Sequence, residues 1–286
     1  PDSAMIRGTF TQRGMRFPLD LQRESIEGAT TRRPQHPEAP FPYRVEEVTF
    51  DNTTAGITLA GTLTLPAGEG PFPAAVLISG SGPQDRDETL MGHKPFLVIA
   101  DHLTKQGIAV LRFDDRGVGA STGVFGSATT EDFAGDVQAA IDFLHNRPII
   151  TPDEIGLIGH SEGGLVAPLV AARSPEAIAF IVLLAGPGVP GDEIILRQQQ
   201  LIAAAAGQTE EVIQLNQEFL RNAFKLIRSG NDNVEARATL APLLKTLLQA
   251  SSPEGDAPSP DQVARQLDAL FSPWFQHFVN YDPAPA

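Results

Sequence analysis

Ser161 sits in Gly159-His160-Ser161-Glu162-Gly163, a Gly-x-Ser-x-Gly pentapeptide. An apolar run, Ile155 to Ile158, precedes it, and a helix is expected from Glu162 to Arg173. Such pentapeptides occur by chance, but strand, motif and helix in that order are the context the motif requires. The chemistry on offer is acyl transfer. A sharp strand-to-helix turn strains the serine backbone and lifts its hydroxyl above the sheet. Gly159, Gly163 and Gly164 let neighbouring backbone come close. The helix N-terminus behind Ser161 aims N–H groups at the negative charge that develops when a carbonyl is attacked.

A second loop could complete that anion site. Ser79-Gly80-Ser81-Gly82-Pro83-Gln84-Asp85 follows the apolar strand Ala74 to Ser79. A glycine-rich loop there can point a backbone N–H at the same oxygen as the residue after the serine. The oxyanion donors are therefore expected to be the N–H groups of Ser81 and Glu162, with Gln84 as the substitute for Ser81. The loop has neither the Gly-Lys-Ser/Thr ending nor the Gly-x-Gly-x-x-Gly spacing of phosphate-binding loops. A third stretch, Asp114-Asp115-Arg116-Gly117-Val118-Gly119-Ala120-Ser121, reads as a charged turn that bonds its own backbone and frames the site. Its alternative reading is a catalytic acid at Asp114 or Asp115.

These elements need an alternating frame. Val45–Phe50 and Ile57–Leu65 read as a β-hairpin around Asp51-Asn52-Thr53-Thr54. Strands at 74–79, 108–113, 155–158 and 179–184 then alternate with helices at 94–106, 130–146 and 162–173. Uniformly apolar strands alternating with helices predict a doubly wound, mostly parallel α/β sheet covered on both faces. The leading hairpin would be its antiparallel edge. Residues 191–286 carry helical patterns only, at 194–206, 209–229, 234–250 and 260–280, and read as a helical cap. Residues 1–24 read as a β-hairpin, 25–42 as a proline-rich linker, and 43–190 as the α/β core.

Three quoted stretches, Leu77 to Gly82, Asp115 to Ser121 and Gly159 to Gly164, resemble the α/β-hydrolase superfamily. The wording is similar to bacterial esterases of the acetyl xylan esterase and acylaminoacyl-peptidase-like type, over about residues 43–190. The resemblance implies a serine esterase acting through an acyl-enzyme on Ser161, a small-molecule ester as substrate, and no cofactor. It also implies a periplasmic or secreted location and a small β domain in front, of which the hairpin at 1–24 would be the tail.

The pattern then breaks. The superfamily order is Ser, then Asp or Glu, then His. After Ser161 the sole histidine is His277, inside the helical pattern Trp274-Phe275-Gln276-His277-Phe278-Val279. Asp256, Asp261, Asp268 and Asp282 follow no strand. The expectation is that acid and base come from a segment after residue 286 or from a second polypeptide. His277 as base, and a non-catalytic binding protein without a triad, remain alternatives, as do a serine peptidase or thioesterase of the same fold. His160 and His93 are expected to line the substrate pocket.

Composition narrows the partners. The 286 residues carry a net charge of −14, which repels phosphate backbones and speaks against nucleic acid. No apolar run approaches the roughly 18 residues of a membrane helix. The chain has 0 cysteines, so disulfides, thiolate metal sites and a cysteine nucleophile are excluded. No histidine pair has metal-ligand spacing, so no metal is expected.

Overall fold

Two units divide the chain, Pro1–Gln35 and His36–Ala286. The structure, a computed structural model, describes residues 5–12, 15–22, 33–230, 233–252 and 257–284. In the first unit β1 (Met5–Gln12) and β2 (Met15–Gln22) pair antiparallel, with Met5 opposite Gln22 and Gln12 opposite Met15. Residues 25–32 of the expected linker lie outside the described residues, and 33–42 form neither helix nor strand.

The second unit is built on a six-stranded sheet. Its strands are β3 (Arg44–Asn52), β4 (Ile57–Leu65), β5 (Phe72–Ile78), β6 (Ala109–Phe113), β7 (Ile150–His160) and β8 (Phe180–Leu184). Their spatial order is β3-β4-β6-β5-β7-β8. The β3/β4 hairpin joins the sheet antiparallel, and β6, β5, β7 and β8 run parallel. Strand β5 lies at the centre because it is apolar on both faces, with Ala74, Ala75, Val76 and Leu77 all buried. The strand expected at 155–158 is longer, starting at Ile150. Phe72 pairs with Ile150 and Ala74 with Ile155, so polar residues 151–154 are accommodated by a register shift.

Helices cover both faces. Helix α1 (Pro95–Lys105) puts Phe96 and Ala100 against one face with Ala75, Leu77, Val110 and Ile158. Helices α2 (Thr130–His145) and α3 (Gly163–Arg173) cover the other face with Val137, Ile141, Leu144, Val166 and Val170. Thr129 and Asp132 close a reciprocal capping box at the start of α2.

Among the described residues, the elements after β8 are all helices. They are α4 (Gly191–Ala205), α5 (Glu210–Arg228), α6 (Asn233–Ser251), α7 (Pro260–Leu270) and α8 (Pro273–Asn280). These helices share a core of their own, with Phe219, Leu220, Phe224, Leu240, Leu244 and Phe271 buried. The single helix expected over 260–280 is two helices. Ser272 accepts a hydrogen bond from the Phe275 N–H and Pro273 takes the first helical position, so the chain stops and restarts there. That break turns Trp274, Phe275 and Phe278 toward a cavity above the parallel strands.

Candidate active site

Ser161 follows β7 directly and has φ 51°, the left-handed region that a non-glycine residue enters only at a cost of about 1–3 kcal/mol. The turn is held on both sides. The Ser161 N–H donates to the Leu184 carbonyl at 2.9 Å, and the Ser161 carbonyl accepts from Gly164 N–H at 2.8 Å. A side chain at Gly159 would collide with the Gly163 carbonyl, and one at Gly163 with the Ile78 carbonyl. Only glycine lets β7 and α3 approach closely enough to make so sharp a turn.

The Ser79–Asp85 loop comes to the same place. A Cβ on Gly80 would lie 3.2 Å from the Ser161 Cβ, so the loop is packed on the serine. Glu88 holds it there. Its buried carboxylate accepts from the Gly80 N–H at 2.7 Å and contacts His160 Nδ1 at 2.7 Å through the same oxygen. Glu88 itself has φ 52°, a second strained residue beside the first. Gly80 and Ser161 therefore have no backbone donor to spare.

From below, Asp115 fastens the loop by accepting from Ser79 Oγ at 2.7 Å and from the Gln84 N–H at 2.9 Å. Burial pushes its pKa up to about 7 against those two hydrogen bonds, with Glu162 and Asp136 adding repulsion. Asp114 turns the other way and accepts from Arg86 and from the Ala120 N–H. Burial raises its pKa, but the Arg86 and Ala120 hydrogen bonds outweigh it and leave the carboxyl below its ordinary value. Both carboxylates are engaged in turns and loops, as a framing role requires.

Glu162 is buried, and its carboxylate accepts from Thr130 Oγ1 at 2.7 Å and from Trp274 Nε1 at 2.8 and 2.9 Å. Sequence reasoning nominated Glu162 for its backbone and missed its side chain. The partner Trp274 lies 112 positions away, and no local pattern signals such a pair.

The cavity over Ser161 holds about 500 Å³. Ser81, Gln84 and His160 line it, as do Ile194 and Ile195 of α4 and the three aromatics of α8. His93 is not in its wall. It is exposed in the turn that pairs it with Leu90, while Leu90 and Pro95 on either side reach the cavity. His277 is not in the wall either. Its ring stacks on Tyr281 at 5.7 Å, and its buried Nε2 has no hydrogen-bond partner. Helix α8 thus presents its aromatic side to Ser161 and carries His277 elsewhere. Among the described residues, no group of three His, Asp or Glu could hold a metal ion, and no helix is long and apolar enough to cross a membrane.

Residues 94–250, just over half of the 286, match the model of the family described as serine aminopeptidase, S33. The chain belongs to this α/β-hydrolase family. The matched stretch carries β6, α2, β7, Ser161 and α3. Esterase EstD of Thermotoga maritima is 30% identical over 187 residues, which are 64% of this chain and 44% of that protein. Esterase FrsA of Yersinia enterocolitica is 29% identical over 165 residues, 57% of this chain and 37% of its own length. The chain therefore spans less than half the length of these curated relatives. Among solved structures, the Pyrococcus furiosus esterase PF2001 overlaps with a TM-score of 0.45 at 26% identity, covering 57% of each chain. The α/β-hydrolase GrgF from Penicillium overlaps with a TM-score of 0.44 at 25% identity, covering 58% of this chain and 53% of that one.

Proposed function

We propose that this S33-family hydrolase cleaves carboxylic esters through an acyl-enzyme on Ser161. The observation that carries the reading is the backbone of Ser161, left-handed at the strand-to-helix turn and opening into the cavity. In the proposed reaction a histidine takes the Ser161 proton and the hydroxyl oxygen attacks the ester carbonyl. The N–H groups of Ser81 and Glu162 receive the oxyanion, since those of Gly80 and Ser161 are committed. One such donor is worth about 100-fold or more in rate. The tetrahedral intermediate expels the alcohol, which takes the proton from the histidine. Water then attacks the acyl-enzyme and releases the acid.

The base is proposed to lie outside the residues of this chain. His277 does not line the cavity, and His160 is tied to Glu88. The outer edge of β8 favours a completing segment. Phe180 to Leu183 are apolar, 39–46% exposed and without a strand on their outer side among the described residues. A parallel strand added there would end on the side where Ser161 lies and could carry acid and histidine to it.

An ester reading is favoured over an aminopeptidase one by charge. An aminopeptidase must bind a free α-ammonium group. The carboxylate in the cavity wall, Glu88, is already bonded to Gly80 and His160. Fluorophosphonate labelling of the protein isolated from its own cells tests the reading, with peptide mapping and intact masses. One adduct on Ser161 is expected, together with a histidine-bearing segment or polypeptide not present in residues 1–286. An adduct elsewhere, or none on the folded assembly, would remove Ser161 as nucleophile.

A further inference from the structure

The cavity has a wall of definite chemistry. Trp274 and Phe278 stack with ring centroids 5.2 Å apart and planes 25° from parallel, and Phe275 adjoins Trp274 at 6.1 Å. All three border the same space as Ser161. Ile194, Ile195 and Leu90 border it as well. Among the described residues the wall contains no Lys or Arg, and its ionisable groups are Glu88 and His160, which contact each other at 2.7 Å.

Trp274 is also fixed, which an ordinary surface aromatic is not. Its indole N–H is bonded to both oxygens of the buried Glu162 carboxylate. One ring face is taken by Phe278, so the ring is a preset surface rather than a mobile side chain. A rigid ring costs little ordering entropy when a second ring is laid on it.

We propose that Trp274 is a specificity-determining residue, and that the cavity takes uncharged esters carrying an aryl group which packs on the Trp274–Phe278–Phe275 wall. This rests on the reading of Ser161 as the acyl acceptor for its reaction, but not for its binding. A carboxylate on the substrate would meet no Lys or Arg among the described residues of the wall and would sit near Glu88. An alicyclic group of the same size would fill the volume without the ring-on-ring geometry, which in aromatic pairs is worth about 2- to 10-fold in affinity.

The test measures binding without turnover, on the full chain as Ser161→Ala. Isothermal titration would use methyl 3-phenylpropanoate, methyl 3-cyclohexylpropanoate and monomethyl terephthalate. Trp274 is the chain's 1 tryptophan, so its emission reports the same event independently. The phenyl ester is expected to bind several-fold tighter than the cyclohexyl ester, with an emission change that follows the heat. The anionic ester is expected to bind weakest. Trp274→Phe keeps a ring and loses the N–H, and should retain the phenyl preference. Trp274→Leu keeps apolar volume and loses the ring, and should abolish the preference. Equal affinities for phenyl and cyclohexyl esters would overturn the proposal. So would a phenyl preference that survives in Trp274→Leu, or one lost equally in Trp274→Phe, since that would mean the Glu162 bond alone matters. Failed labelling of Ser161 with the binding pattern intact would sink the esterase reading and leave the wall standing.

Discussion

Glu162 serves the site through two different groups. Its backbone follows Ser161 and is the proposed oxyanion donor, while its side chain anchors Thr130 of α2 and Trp274 of α8. Asp115 plays the matching part under the other donor, holding Ser79 and Gln84. The two carboxylates lie close enough that Glu162 raises the Asp115 pKa further after burial has already done so. That shift has a consequence for stability. A carboxyl with pKa 3.8 unfolded and about 7 folded keeps its proton in the folded state while the unfolded chain loses its own. The folded state then binds more protons, so stability falls as pH rises from about 4 to about 7, by up to about 1.4 kcal/mol per pH unit. Denaturant unfolding at steps across that range should show a negative slope in the wild type, flattened in Asp115→Asn. An identical slope in the variant would mean that Asp115 is not the group responsible. Asp114 and Asp132, held below their ordinary values, act with the opposite sign and at lower pH, so they do not mask it.

At the scale of elements, the chain spells out where most strands and helices run. It does not spell out where a long polar-apolar helix breaks. Ser259-Pro260 and Ser272-Pro273 carry the same start signal, serine as cap and proline in the first turn. The second lies in the middle of an amphipathic run, where periodicity alone argues for continuity. The two-residue interruption, Phe271 and Ser272, matters because it reorients the aromatics of α8. Ser81 and Gln84, expected as oxyanion candidates, and His160, expected in the pocket, line the cavity. They were legible because they adjoin motifs, whereas His93, expected in the pocket with His160, does not line it. Trp274, Phe275 and Phe278 were not legible, because what makes them a wall is the packing of α8 over the sheet. The same packing keeps His277 out of the cavity wall. The cap is a tractable target. Ser272→Ala removes the acceptor for the Phe275 N–H and should cost about 1 kcal/mol of stability. Because α8 carries the Trp274–Glu162 bond, the thermal midpoint by circular dichroism and by tryptophan emission should fall together. A variant that melts with the wild type would show that α8 is positioned without its cap.

For the hydrolase unit as a whole, the informative feature is an imbalance between the two ends of its sheet. One end is finished by the antiparallel β3/β4 hairpin, whose outer strand carries Arg44, Glu46 and Glu47 and is suited to water. The other end is β8, Phe180-Ile181-Val182-Leu183-Leu184, a sequence made to be buried on both faces. Its neighbour β7 has the same apolar character over Ile155–Ile158 and is buried there, because β5 and β8 flank it. An apolar edge strand with open N–H and C=O groups is a template for another strand. Two outcomes follow from one cause. Supplied with the proposed completing segment, β8 becomes an interior strand. Without it, residues 1–286 should self-associate through that edge as concentration rises. Val182→Lys places a charge on the strand and should shift the chain toward monomer in sedimentation velocity, while leaving far-ultraviolet circular dichroism unchanged. The same substitution should block recovery of the histidine-bearing segment with the chain, because one edge cannot serve both. If the chain is monomeric at every concentration and Val182→Lys leaves its assembly with the segment intact, then β8 is not where the sheet is completed, and the base must reach Ser161 by another route.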